Sequence, residues 1–168
     1  MIMKSKLNDF ISNLDTKDIN ETRRKILDKI SDYIVENKNQ TKSTIQLNFI
    51  CTHNSRRSQF CQAWAFAMSK FFSLRGLEFY SGGTEVSAVY PGVIITLISN
   101  GWEVSSSDKD VHENPSYYIK CEDVGEELEL KSKEIDSEKN PKSGFIALMT
   151  CSQANEACPI VPGAEKRF

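Results

Sequence analysis

Leu47-Asn48-Phe49-Ile50-Cys51-Thr52-His53-Asn54-Ser55-Arg56-Arg57-Ser58 decides the fold of this chain. An apolar run of strand character, residues 45–50, leads into a polar loop. The segment 57–72 then carries Phe60, Ala63, Trp64, Ala67 and Phe71 at helical spacing. A strand, a tight loop and a helix start bring one thiol and one guanidinium, with five residues between them, around the same turn. The intervening backbone N–H groups can converge on a tetrahedral anion, and the positive end of the helix adds to their field. Such a field holds Cys51 as thiolate, the form that attacks. Arg57 can grip two anion oxygens through its planar fork, and Ser58 can donate a hydrogen bond to the sulfur. A free cysteine is usually a small buried apolar residue. That role leaves a polar loop ending in two arginines and a serine without a reason, so the nucleophile reading is preferred.

Outward from this motif the chain reads as alternating strands and helices. A second strand over 77–81 closes on Gly82-Gly83, and a helix over 90–100 has Pro91 near its start and Gly101 as its stop. Short strands are expected at 102–104 and Tyr117–Cys121, and a central strand at Phe145–Met149. Residues 122–142 are charged, with only scattered apolar points, and read as a surface insertion. The fold class expected is α/β, a parallel sheet with helices on both faces.

Residues 1–44 form a helical N-terminal extension in this reading, and 45–168 the α/β domain. Leu7, Phe10, Ile11 and Leu14 mark one amphipathic helix; Ile26, Leu27, Ile30, Tyr33 and Ile34 mark a second. Residues 37–44 read as a linker into the first strand. The extension either packs on the domain or mediates dimerisation, with packing the simpler choice.

At 168 residues the chain can bury a substantial core. A net charge of −2 and a pI near 5.8, with no basic stripe, exclude nucleic acid as a main partner. No apolar run approaches a membrane span and no signal peptide opens the chain, so no membrane partner and a cytoplasmic location are expected. Five scattered cysteines suit a reducing compartment and thiol chemistry rather than a disulfide framework. There is no Cys-x-x-Cys pair, and His53 and His112 lie far in sequence from the late cysteines, so no metal site is expected.

Those late cysteines are the second point of interest. Cys151 follows the strand at Phe145–Met149, the topological position that Cys51 occupies after its own strand. Cys158 comes seven residues later. Strand C-termini of a parallel sheet share one edge, so both can meet Cys51 there. If the segment between them is helical, they lie roughly 10 Å apart, too far for a disulfide unless that segment unwinds. The alternative is a buried strand-end residue and a surface thiol before Pro159. Cys61, beside Phe60 on a helix, reads as core, and Cys121 has no evident partner.

With these residues in view, the chain resembles the low-molecular-weight protein tyrosine phosphatases, and within that superfamily the thioredoxin-coupled arsenate reductases. The resemblance runs from about residue 45 to 167 and is most specific in 51–58, 80–84 and 149–163. It implies Cys51 as nucleophile, Asn54 as loop-shaping residue, Arg57 as oxyanion clamp and Ser58 as hydrogen-bond donor to the thiolate. Thr52, His53, Ser55 and Arg56 complete the oxyanion loop, and Cys151 and Cys158 match the relay cysteines of the reductase branch. The function implied is reduction of arsenate to arsenite without a cofactor, with thioredoxin as reductant. Hydrolysis of phosphotyrosine through a phosphocysteine is the alternative, and an oxyanion-binding module without turnover is a further one.

Three departures stand out. His53 occupies a position usually glycine, where a positive φ is expected, and Arg56 replaces a common cysteine. The family's general-acid aspartate lies in an Asp-Pro loop beyond the relay segment. Here Pro115 and Pro141 each follow asparagine, so the α/β domain is expected to lack its C-terminal part, including a closing helix.

Overall fold

The computed structural model describes residues 6–41, 43–106, 113–121 and 126–168. Its centre is a four-stranded parallel sheet in the order β2-β1-β6-β7, formed by β2 (Leu77–Gly83), β1 (Ile45–Cys51), β6 (Phe145–Met149) and β7 (Ala164–Arg167). Alternation along β1 sends Ile45, Leu47 and Phe49 into one apolar cluster and Ile50 into another. The first cluster gathers Phe66 of α3 (Arg57–Phe71), Val93 and Leu97 of α4 (Pro91–Ser99), and Leu7 and Ile11 of α1 (Lys6–Ser12). The second holds Phe145, Ala147 and Ala154 of α5 (Ser152–Ala157). Both faces of the sheet are therefore covered by helix, and the α/β architecture expected from the sequence is the one present.

Several local expectations need correction. Residues 37–41, read as linker, continue α2 (Glu21–Thr41); the run Glu36-Asn37-Lys38-Asn39-Gln40 contains neither Gly nor Pro to stop the helix. The strands β3 (Trp102–Ser106) and β4 (Tyr117–Cys121) do not join the parallel sheet. They pair antiparallel with each other, and β4 pairs with β5 (Glu127–Leu130), in a separate three-stranded sheet. Trp102, Ile119 and Leu130 anchor that sheet in the main core, with the Trp102 ring edge-on to Trp64 at 5.9 Å. β7 escaped the sequence reading because Ala-Glu-Lys-Arg carries no apolar alternation, and a charged edge strand has little need of one. The helix α3 buries Gln59 and Gln62 beside Ala63, Phe66 and Ala67, whereas Phe71, counted as an apolar anchor, is exposed.

Parallel register places Cys51 opposite Gly83, and Ile50 opposite Met149. Thr150 closes the same edge by donating from both its backbone N and its hydroxyl to the Ile50 carbonyl, at 2.7 and 2.9 Å. The loops after β1, β2 and β6 thus leave the sheet together, at the edge where ligand sites collect in this class of fold. No helix of the described residues is long and apolar enough to cross a membrane.

Candidate active site

The loop from Cys51 to Ser58 is shaped by what its carbonyls are bound to. The Cys51 carbonyl accepts from the Thr84 N–H at 3.3 Å, and the Thr52 carbonyl from the Glu85 N–H at 2.9 Å. The His53 carbonyl accepts from the Ser132 hydroxyl at 2.8 Å, the Asn54 carbonyl from the Gln59 amide at 2.8 Å, and the Ser55 carbonyl from the Tyr90 N–H at 3.0 Å. A trans peptide directs its C=O and the following N–H to opposite sides. Carbonyls drawn outward in succession therefore turn the N–H groups of residues 53–56 toward the inside of the loop. Among the described residues, none of the N–H groups of 53–58 has a hydrogen-bond partner. The start of α3 adds to this, since Arg56 at its N-cap makes no side-chain cap. The result is a nest of donors awaiting an anion.

At the floor, Cys51 is buried and its sulfur lies 3.0 Å from the Ser58 hydroxyl oxygen. The Asn54 amide donates to that same oxygen at 2.8 Å, which leaves the Ser58 hydrogen to be directed at the sulfur when Cys51 is a thiolate. Asn54 is itself fixed, because its Oδ1 accepts from the Lys133 N–H at 3.0 Å. It is also the loop residue at positive φ, 45°. The sequence placed the left-handed turn at His53; it falls instead on Asn54, a residue type that tolerates it.

Gly83 lets β2 pass close behind the loop. A Cβ there would sit 2.6 Å from the carbonyl oxygens of Thr52 and Glu85 and 2.7 Å from the Asn54 nitrogen.

The segment read as a surface insertion is part of this construction. Lys133 holds Asn54, and Ser132, itself buried, holds the His53 carbonyl while accepting from the Ser87 N–H at 3.0 Å. Asn140, also buried, donates to the Ser81 carbonyl at 3.0 Å and to the Glu134 carbonyl at 3.0 Å. Burial pushes the Lys133 ammonium down to about 8; Glu129 opposes that shift and Lys139 reinforces it.

Above Cys51 opens a cavity of about 290 Å³ rimmed by Thr52, His53, Ser55, Arg56, Arg57, Ser87 and Gln153. Arg57 is exposed at the first turn of α3 and makes no hydrogen bond or ion pair to a described residue. Arg56 stacks its guanidinium on the Tyr90 ring, 4.0 Å from the centroid. His53 presents Nδ1 to the Glu85 carboxylate at 3.1 Å.

Cys151 is the N-cap of α5, its sulfur accepting from the Ala154 N–H at 3.4 Å and lying 3.6 Å from the Thr52 hydroxyl. Burial raises this thiol, but the donors Ala154 and Thr52 and the charge of Arg57 outweigh it, and the net displacement is downward, toward thiolate. The late thiol thus touches the oxyanion loop. Cys158, at the other end of α5, does not share the cavity over Cys51; it lines a larger cleft of about 510 Å³ with Thr84, Phe145 and Val161. Both cysteines are free thiols. Because α5 is helical, their separation is the one that precludes a disulfide without local unwinding.

Cys61 packs against the main cluster, and burial, then the neighbouring Cys51, pushes its thiol up to about 11, which suits an inert core residue. His112 and the Cys121 side chain lie outside the described residues. Among the described residues no group of three or more His, Cys, Asp or Glu side chains is placed to hold a metal ion.

No family model and no solved structure matches this chain at a significant level. Among curated proteins, an arsenate reductase of Brevibacillus brevis is 28% identical over 123 residues, which is 73% of this chain and 69% of the relative. An arsenate reductase of Staphylococcus aureus is 28% identical over 127 residues, 76% of this chain and 74% of the relative. At 28% identity these two matches mark a likeness to arsenate reductases over about three quarters of this chain.

Proposed function

We propose that the protein reduces arsenate to arsenite through a relay of Cys51, Cys151 and Cys158 in a cytoplasmic domain, 45–168, of the tyrosine-phosphatase-like class. The observation that carries this reading is the placement of Cys151. Its sulfur is bound to Thr52 of the oxyanion loop and displaced toward thiolate. Hydrolysis of a phosphate ester uses one thiol; reduction of an oxyanion consumes the electrons of two.

The steps follow from the contacts. Arsenate enters the nest of N–H groups and the fork of Arg57. The Cys51 thiolate forms a sulfur–arsenic bond while one arsenic oxygen departs as water. The Cys151 thiolate then attacks the Cys51 sulfur. A Cys51–Cys151 disulfide forms, the sulfur–arsenic bond breaks with its electron pair left on arsenic, and arsenic(V) leaves as arsenite. Cys158 attacks the Cys151 sulfur and releases Cys51 as thiolate. That step needs α5 to unwind, because its ends are held apart while it is helical. A dithiol protein of the thioredoxin kind restores both thiols.

Thr52, His53, Ser55, Arg56, Arg57, Ser87 and Gln153 offer charge and hydrogen bonds that suit a small inorganic anion. The test is substrate replacement. Cys151→Ser abolishes arsenite production while leaving any aryl phosphate hydrolysis intact; equal loss of both activities overturns the division of labour.

A further inference from the structure

The rim of the Cys51 cavity contains a proton carrier that the relay does not use. Of its lining side chains, Arg56 and Arg57 stay protonated throughout, and Thr52, Ser55, Ser87 and Gln153 do not titrate in the neutral range. Cys51 is the nucleophile. Among the described residues His53 is the one imidazole on the rim, the side-chain type most often used as a general acid or base. Its ring is not loose: Nδ1 lies 3.1 Å from the Glu85 carboxylate. The Glu85 backbone is held in turn, its N–H donating to the Thr52 carbonyl at 2.9 Å, while its carboxylate is solvent-exposed. The His53 carbonyl is held by Ser132 and by the Ser87 hydroxyl, at 2.8 and 3.3 Å. Backbone and ring are thus both anchored, and Nε2 is without a partner among the described residues.

We propose that His53, oriented by Glu85, is the acid that protonates the oxygen leaving arsenic when Cys51 attacks. This rests on the arsenate reading above and assigns a further catalytic residue to it. The step balances. The Cys51–arsenic bond forms, the bond from arsenic to one of its hydroxyl groups breaks with its electron pair on oxygen, and the imidazolium Nε2 proton converts the departing hydroxide to water. No electrons are transferred in this step, so no reductant enters it. The neutral imidazole left behind takes a proton from solvent, to which the ring is open, and the imidazolium is restored. Glu85 is a positioning residue: it binds Nδ1 and so leaves Nε2 as the ring nitrogen available to a substrate.

The experiment is single-turnover arsenylation of Cys51 in the full chain, comparing wild type with His53→Gln and Glu85→Gln. Protection of Cys51 from alkylation by inorganic phosphate is measured in parallel. The expected result is phosphate protection within a few-fold of wild type in both variants. Arsenylation then slows by about 10²–10⁴-fold in H53Q and by less, in the same direction, in E85Q. Arsenylation by H53Q at the wild-type rate overturns the assignment. Loss of phosphate protection in proportion to the rate also overturns it, because His53 would then be shaping the loop. A wild-type chain that binds phosphate but is never arsenylated overturns the reductase reading itself, a different outcome from a wild type that reacts and an H53Q that reacts equally well.

Discussion

The Cys151 sulfur lies 3.6 Å from the Thr52 hydroxyl, so a thiol at the end of β6 is bound to the loop that opens at the end of β1. Two segments 99 residues apart in sequence meet there, and they meet because parallel register brings the C-terminal ends of adjacent strands to one edge. The contact also has a chemical consequence, since the Thr52 donors help to hold Cys151 below the ordinary cysteine range.

Thr52→Val removes the hydroxyl donor and returns Cys151 toward that ordinary range. A lowered thiol reacts at lower pH, because thiolate appears as pH rises through the pKa. In a Cys51→Ser background, the pH midpoint for alkylation of Cys151 should therefore move upward on adding Thr52→Val. An unchanged midpoint would mean that Ala154, the Thr52 backbone N–H and Arg57 set it without the hydroxyl.

Asn54 joins Ser58 to Lys133 while sitting at positive φ. Asn54→Ala leaves the half-buried Lys133 N–H without its acceptor and puts a less tolerant residue in the left-handed region. A loss of about 2–4 kcal/mol in unfolding free energy is expected, read by denaturant titration. Ser58→Ala leaves the Asn54 amide without its acceptor at the buried floor, so it should cost about 1–3 kcal/mol and slow Cys51 alkylation at neutral pH.

These contacts separate what was legible in the sequence from what was not. The chemistry of 51–58 is local: a nucleophile, a clamp and a donor are recognisable by type and spacing, and the strand before them by its apolar run. The support for Asn54 and His53 comes from Ser132 and Lys133, through a hydroxyl and a backbone N–H. Bonds of that kind leave no hydrophobic period to read, so a segment that holds the loop looked like a charged insertion. Gln59 was hidden for the same reason, being buried to bind the Asn54 carbonyl and the Lys131 carbonyl rather than to fill the core.

The two loop arginines should behave differently. Arg57 has no competing partner among the described residues, whereas Arg56 is stacked on Tyr90. Arg57→Ala should weaken phosphate protection of Cys51 by about 10–150-fold, the value of a hydrogen bond to a charged group, and Arg57→Lys should restore it only in part. Arg56→Ala, at an exposed stacked position, should weaken it by roughly fivefold at most.

Gly83→Ala tests the close approach of β2 to the loop. A Cβ 2.6 Å from the Thr52 carbonyl must displace it, and with it the peptide whose N–H faces the anion. Phosphate protection of Cys51 should be lost even where circular dichroism shows the fold retained. Retained protection would show that the loop does not depend on this contact.

The central claim is that arsenic leaves the protein reduced, by way of two further thiols. It is tested most directly by arsenite formed per chain, with arsenate supplied together with thioredoxin, thioredoxin reductase and NADPH. The account predicts repeated turnover by the wild type, none by Cys51→Ser or Cys151→Ser, and a single round by Cys158→Ser that ends in a Cys51–Cys151 disulfide. Undiminished arsenite formation by Cys151→Ser, or none by the wild type alongside steady hydrolysis of an aryl phosphate, would contradict it.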